Sequence, residues 1–280
     1  MTVPLQLGIR AHDFGQLPLP ELIGGIRQYG FSHIQFAVRK SFPDSVPEWE
    51  ALSPGTAAYY GDAFRQAGIR IAVLGCYVNI VHSDPAERRR ALDAFGTHLR
   101  LARDFGAGLV GTETGSVGSG YTEANFTEEA FERVVESVRE MVAEAERFGA
   151  TIGIEAGLNH PMYTAQLTRR LLDLVPSPNL QVILDCANLM RPDNAHEQDA
   201  VVAEALELLG SRIAVIHLKD FRLEDGKIKI VPVGQGELRF EPILRYMKYK
   251  RPHIQGILES TPEPYIREAV QFLQALYREI

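Results

Sequence analysis

Residues 180–188 read LQVILDCAN and residues 213–220 read IAVIHLKD. Each is a short, nearly continuous apolar run that closes on a side chain able to do chemistry, Asp185 in the first and His217 in the second. A run without polar alternation marks a parallel strand buried on both faces. Working outward, β-rich runs of this kind recur along the chain. Strands are expected at Leu5–Ala11, His33–Ala37, Ile69–Gly75, Leu109–Glu113, Thr151–Glu155, Leu180–Asp185, Ile213–His217 and Ile254–Glu259.

Amphipathic stretches separate them. Ala86–Phe105 carries Leu92, Phe95, Leu99, Ala102 and Phe105 at gaps of three and four and stops at Gly106. Phe126–Phe148 repeats the pattern with Phe131, Val134, Val138, Met141 and Ala145 and stops at Gly149. Such spacing gives a helix one buried face, and a glycine suits its C-terminal stop. Further helices are expected at Pro20–Tyr29, Gly55–Ala67, Tyr163–Val175, Glu197–Leu209, Phe240–Tyr249 and Glu263–Ile280. Eight strand–helix units in strict alternation predict an α/β fold, a single (β/α)8 TIM barrel, with residues 1–280 as one domain. A doubly wound open sheet is the alternative. It would place a glycine-rich dinucleotide loop after its first strand, where this chain has ArgAlaHisAspPheGly. GSVGSG at 115–120 lacks that context. It reads as a flexible loop, with a lid or a backbone cradle for a phosphate as its two readings.

Composition narrows the function. The chain has 280 residues, 29 basic against 36 acidic, and a net charge of −7. That balance disfavours a nucleic-acid partner bound mainly through phosphates. Its proportions are globular, not those of a disordered tail or a coiled coil. No apolar run approaches the ~18 residues that suggest a membrane span. MTVPLQLGIRAHD has no signal-peptide pattern, so a cytoplasmic location is expected. The two cysteines, Cys76 and Cys186, lie in no CxxC or CxxH spacing, which argues against a structural zinc or a disulfide framework.

In a β/α barrel the chemistry sits at the C-terminal strand ends. Strand 5 ends at Glu155, strand 6 at Asp185 with Asn188 beyond it, strand 7 at His217 with Lys219 and Asp220, and strand 8 at Glu259. One acidic residue at a strand end is commonly a helix cap, and one histidine is as readily a core residue as a ligand. Carboxylate, carboxylate, imidazole and carboxylate on four consecutive strands are harder to explain that way. Three unpaired carboxylates in one mouth would repel, and a divalent cation resolves the conflict. Oxygen donors with one nitrogen suit Mn²⁺, Mg²⁺ or Co²⁺ better than a thiolate-seeking metal. Glu113, ending strand 4, either contacts substrate or supports strand 5. His12, His82, His160 and Asn188 are candidates for the site wall, with Asp13 and Asn79 nearby in sequence. His33, His98, His196 and His253 read as structural, and Cys186 as packing.

GIEAG, VILDCANL, IAVIHLKDFR, VPVGQGELRFEPIL and QGILES, in that order, resemble the sugar isomerase/epimerase superfamily of xylose-isomerase-like barrels. HLKD followed by a short acidic hairpin and VGxGELxF is the most characteristic part. The superfamily includes ketose 3-epimerases, inosose isomerases and dehydratases, hydroxypyruvate isomerases and apurinic endonucleases. The resemblance implies one divalent metal held by Glu155, Asp185, His217 and Glu259, with Mn²⁺ first and Mg²⁺, Co²⁺ or Zn²⁺ as alternatives. It also implies that Glu155 and Glu259 move protons beside the carbonyl of a keto-sugar or cyclitol, through a metal-stabilised enediolate. Asn188 stands where ketose 3-epimerases carry a substrate-binding histidine. Arg222 stands five residues after His217, where they carry an arginine at six. Lys219 is expected either to bind a substrate oxygen or to pair with a loop acid. The expected partner is a small, unphosphorylated sugar or cyclitol, with neither nucleic acid nor membrane, and with pairing of copies as in relatives. A lyase or dehydratase of the inosose-processing kind is the alternative. An apurinic endonuclease is remote, because Asn188 replaces one of its metal-binding histidines and no DxH occurs.

Overall fold

The computed structural model describes residues 3–118, 120 and 122–280. Ten strands are formed among them. In chain order they are β1 (Leu7–Arg10), β2 (His33–Phe36), β3 (Arg70–Gly75), β4 (Ala107–Glu113), β5 (Ile152–Glu155), β6 (Leu180–Asp185), β7 (Ile213–Leu218), β8 (Asp220–Glu224), β9 (Lys227–Val231) and β10 (Gln255–Leu258). Eight of them close a parallel barrel in the order β1-β10-β7-β6-β5-β4-β3-β2. The predicted (β/α)8 architecture is therefore the observed one.

The main helices alternate with these strands: α1 (Leu19–Gln28), α2 (Val38–Ser41), α3 (Pro54–Gln66), α4 (Pro85–Phe105), α5 (Glu128–Phe148), α6 (Ala165–Leu174), α7 (Gln198–Leu209), α8 (Glu241–Arg245) and α9 (Ile266–Glu279). Their starts follow caps. Side-chain oxygens of Ser53, Asp84, Thr127 and Thr164 accept N–H bonds at the first turns of α3, α4, α5 and α6. Thr127 explains why α5 begins at Glu128 and not at the expected Phe126, which ends a separate 3-10 turn. The expected helix Phe240–Tyr249 is the short α8 followed by a π-helical turn, Tyr246–Lys250. Four-residue α2 is too short to show a periodicity in sequence. Among the described residues, no helix is long and apolar enough to cross a membrane.

Side chains fill the barrel interior. Ala72, Val73, Leu109, Ile183, Val215 and Ile257 form a packed inner cluster, and a larger apolar shell lies between strands and helices. This plug leaves the C-terminal mouth as the place where polar groups can converge.

After β7 the chain departs from simple alternation. β8 and β9 form an antiparallel hairpin turned by Asp225 and Gly226, at φ +51° and +69°. Two consecutive positive φ values suit the two-residue turns that match strand twist. Asp220 fastens the hairpin to the VGQGEL segment. Its Oδ1 accepts from the N–H groups of Phe221 (2.8 Å) and Leu238 (3.0 Å), and its Oδ2 from Gly234 (3.0 Å) and Gly236 (2.9 Å). A Cβ on Gly236 would lie 2.1 Å from Asp220 Oδ1, so only glycine lets that backbone approach. Asp220→Asn replaces one acceptor oxygen by a donor aimed at two N–H groups. It should lower the unfolding free energy by roughly 2–4 kcal/mol, read as a lower urea midpoint. An unchanged midpoint would show that the carboxylate cage is dispensable.

Candidate metal centre

The barrel register brings the predicted strand ends together. Glu113 pairs with Glu155 across β4 and β5, and Asp185 pairs with His217 across β6 and β7. Glu259 follows β10, with its N–H on the carbonyl of Leu218 at 3.0 Å. One ligand-capable atom from each of Glu155, Asp185, His217 and Glu259 lies within 4.8 Å of the others, and all four residues are buried. His217 Nδ1 sits 2.9 Å from Glu259 Oε2 and 3.3 Å from Glu155 Oε2.

Cations and amides surround the four. Lys219 Nζ lies 2.8 Å from both Asp185 Oδ2 and Glu259 Oε1, and donates to Asn188 Oδ1 at 3.1 Å. Its ion-pair partners are thus acids of the centre and not of a loop. Asn188 donates its amide to Glu155 Oε1 (2.8 Å) and its backbone N–H to Asp185 Oδ1 (3.1 Å). Arg10 reaches Glu259 Oε1 at 3.0 Å and Asp13 at 2.7 Å.

Burial and crowding set the protonation of this centre. Burial pushes the Glu155 carboxyl up to about 7, against the pull of His217 and with help from Glu259 and Glu113. Burial pushes Glu259 the same way, but Lys219 and His217, with Arg10 behind them, hold it well below the usual carboxylate range. For His217, burial opposes the charge, yet Glu155 and Glu259 raise it to about 10. Lys219 stays charged despite burial because Asp185 and Glu259 face it.

Once Glu155 and His217 have released their protons, three carboxylates against Lys219, with Arg10 balanced by Asp13, leave two negative charges, matching one divalent cation. Two of the inward atoms, Asp185 Oδ2 and His217 Nδ1, are buried and meet only charged neighbours, Lys219 at 2.8 Å for the first and Glu259 and Glu155 at 2.9 and 3.3 Å for the second. Oxygen donors with one imidazole nitrogen fit a hard or borderline divalent ion. Glu155, Asp185, His217 and Glu259 could therefore hold one metal.

The other predicted residues divide. Glu113 closes β4 beside Glu155. His12 lies in the 3-10 turn after β1, with a buried Nδ1 that has no hydrogen-bond partner; burial, then Arg10, lower it to about 3 and keep it neutral. His160 is kept neutral mainly by burial, and its Nδ1 accepts from Gly115 N–H at 3.3 Å. His82 is engaged elsewhere. Its Nδ1 accepts from the N–H of Asp84, the cap of α4, and the residue lines a groove beside α4 and α5. Arg222 is also engaged elsewhere. It alternates with inward Phe221 on β8, faces solvent, and donates Nε to the Gln235 carbonyl at 2.5 Å.

GSVGSG is more constrained than its composition suggests. N–H groups of Gly115, Ser116, Val117 and Gly118 are taken by His160, Asn79, Asn125 and Ser116 Oγ. Those donors are not free for a phosphate; Ser119 lies outside the described residues. Sequence reasoning missed Arg10, Gln35 and Tyr77. Gln35 Oε1 is 2.6 Å from His217 Nε2, and its amide nitrogen donates to the Tyr77 hydroxyl. The one sequence signal for Gln35 is an amide in an otherwise apolar run.

Comparison with known proteins agrees with this fold. The family model described as xylose isomerase-like TIM barrel matches residues 25–276. No curated protein matches the sequence. Among solved structures, 3-keto-D-glucoside 4-epimerase YcjR from E. coli superposes with a TM-score of 0.73 at 14% identity, covering 99% of this chain and 100% of that one. IOLI protein with a binding zinc atom gives a TM-score of 0.73 at 16% identity, covering 98% and 97%. Endonuclease IV from Thermus thermophilus gives 0.72 at 18% identity, covering 98% and 100%. At these identities the likeness is one of fold.

Proposed function

We propose that this chain, which belongs to the xylose isomerase-like TIM barrel family, is a divalent-metal-dependent isomerase or epimerase of a keto-sugar or cyclitol. The observation that carries this reading is the convergence of Glu155, Asp185, His217 and Glu259 within 4.8 Å at the barrel mouth. These four would hold the ion, Mn²⁺ first, with Mg²⁺, Co²⁺ or Zn²⁺ as alternatives. When bound, the ion would supply Lewis-acid polarisation of the substrate carbonyl. One glutamate takes the proton from the carbon beside the carbonyl, and the released electron pair moves onto the carbonyl oxygen. The other glutamate returns a proton. Return to the opposite face of the same carbon is epimerisation; return to the former carbonyl carbon, with the hydroxyl proton passing from the neighbouring oxygen to the former carbonyl oxygen, is isomerisation. Lys219 and Asn188 hold Asp185, Glu259 and Glu155 in place between the two transfers. His12, His82, Glu113, His160, Asn188, Lys219 and Arg222 are the substrate-binding candidates of this reading, with His82 and Arg222 the two that stand away from the four ligands.

A small molecule suits a buried centre, and a net charge of −7 disfavours a nucleic-acid substrate. Residues 1–280 act as one domain in this reading. The test is a panel of keto-sugars and inososes in deuterated water with Mn²⁺ at sub-stoichiometric level or Mg²⁺, followed by proton NMR. Deuterium should enter one substrate at the carbon beside its carbonyl. EDTA should stop the exchange and added Mn²⁺ or Co²⁺ restore it. Loss of water or another group from the adjacent carbon would assign the chain to a lyase instead. No exchange with any member would remove this reading.

A further inference from the structure

Gln35 lies at the third position of β2, separated from β7 by β1 and β10 around the barrel, and is fully buried. Its carbonyl oxygen is 2.6 Å from His217 Nε2, and the histidine is 1% exposed. The other half of the amide is committed too, because its Nε2 donates to the Tyr77 hydroxyl. With the amide oriented this way, only a protonated Nε2 on His217 makes a favourable contact. An imidazole that ligates an ion carries a single N–H, so once the second proton has left, holding the remaining one at Nε2 frees the Nδ1 lone pair. Nδ1 is the atom that faces Glu155 and Glu259, at 3.3 and 2.9 Å.

We infer that Gln35 is a positioning residue for the metal centre. It fixes the Nε2–H tautomer and the ring plane of His217 so that Nδ1 is presented to the ion, while the Tyr77 hydroxyl holds the far end of the amide. This rests on the metal-centre reading above. An N–H acceptor behind a ligating histidine is worth about 10–100-fold in metal affinity. A flipped amide would favour the opposite tautomer, which puts a proton where the ion belongs.

The test compares wild type with Gln35→Leu and Gln35→Glu, titrated with Zn²⁺ and Mn²⁺ by calorimetry in EDTA-treated protein. Proton NMR of the imidazole N–H region is recorded with and without Zn²⁺. Gln35→Leu is expected to weaken metal binding by about 10–100-fold and to lose the slowly exchanging His217 Nε2–H resonance. Gln35→Glu keeps an acceptor at both oxygens and cannot present an N–H to the ring, so it should retain that resonance and bind far better than the leucine variant. Circular dichroism melts confirm that both variants are folded. Wild-type affinity in Gln35→Leu, or equal loss in both folded variants, overturns the inference. Failure of wild type to bind either metal, with the Nε2–H resonance present, would instead remove the metal-centre reading and leave the hydrogen bond standing.

Discussion

Glu155→Gln and Glu259→Gln should each slow solvent-deuterium exchange into the substrate by at least about a thousandfold, measured by NMR on the keto-sugar identified in the panel. An amide has the size of the carboxylate but cannot accept a proton from carbon or deliver one at neutral pH. Each change also removes an anionic ligand from the four-residue cluster. The two variants should differ in stability. Glu155 touches Asn188 and His217, and its carboxyl is pushed up toward 7 chiefly by burial, so a neutral isostere relieves a crowded anion. Glu259 faces Lys219, Arg10 and His217, and its loss leaves those cations with less compensation in a buried setting. Glu155→Gln should therefore melt close to wild type and Glu259→Gln below it. Retained exchange in both variants would remove the glutamates as acid–base groups.

The barrel was legible because its strands are short apolar runs with polar ends, and its longer helices are long enough to repeat a buried face. The four candidate ligands were legible for a positional reason: strand ends 5 through 8 must share one mouth, so Glu155, Asp185, His217 and Glu259 could be placed together without a contact being known. The same rule also offered His82, and the family resemblance offered Arg222; the structure engages both away from the four ligands. Asp84 caps α4 and draws the His82 ring onto its backbone, while alternation along β8 sends Arg222 outward opposite Phe221. Those outcomes depend on local turns that a strand-end argument does not see. Gln35 failed in the opposite way. Its partner is 182 residues distant in sequence, and an amide inside a strand carries no mark of what it will meet. Lys219 could be read two ways because HLKD fixes its position but not which acids come near; closing β7 against β6 and β10 gives Asp185 and Glu259.

Metal affinity should climb steeply with pH. In the metal-free protein His217 keeps its proton up to about 10, since Glu155 and Glu259 outweigh the cost of burying the charge. Glu155 keeps its own up to about 7, mainly through burial. Both protons must leave before these groups can serve as ligands. The association constant should rise about tenfold per pH unit above pH 7, where one proton is displaced, and about a hundredfold per unit in the acid range below it, where two are. Calorimetry in buffers of different ionisation enthalpy counts them: close to two released at pH 6, close to one at pH 8.5. Stability of the metal-free fold runs the other way. Both groups have folded pKa values above their unfolded ones, so their contributions are complete at low pH. That of Glu155 is lost as pH rises from 4.5 through about 7, and that of His217 from 6.5 through about 10. Glu259, held low by Lys219 and His217, contributes above 4.5 and loses that contribution only on acidification. Between pH 6 and pH 9 the melting temperature of EDTA-treated protein should fall while that of metal-loaded protein holds or rises, so the gap between the two widens with pH. Affinity independent of pH, with no protons released, would show that these side chains are not the ones that take up the ion.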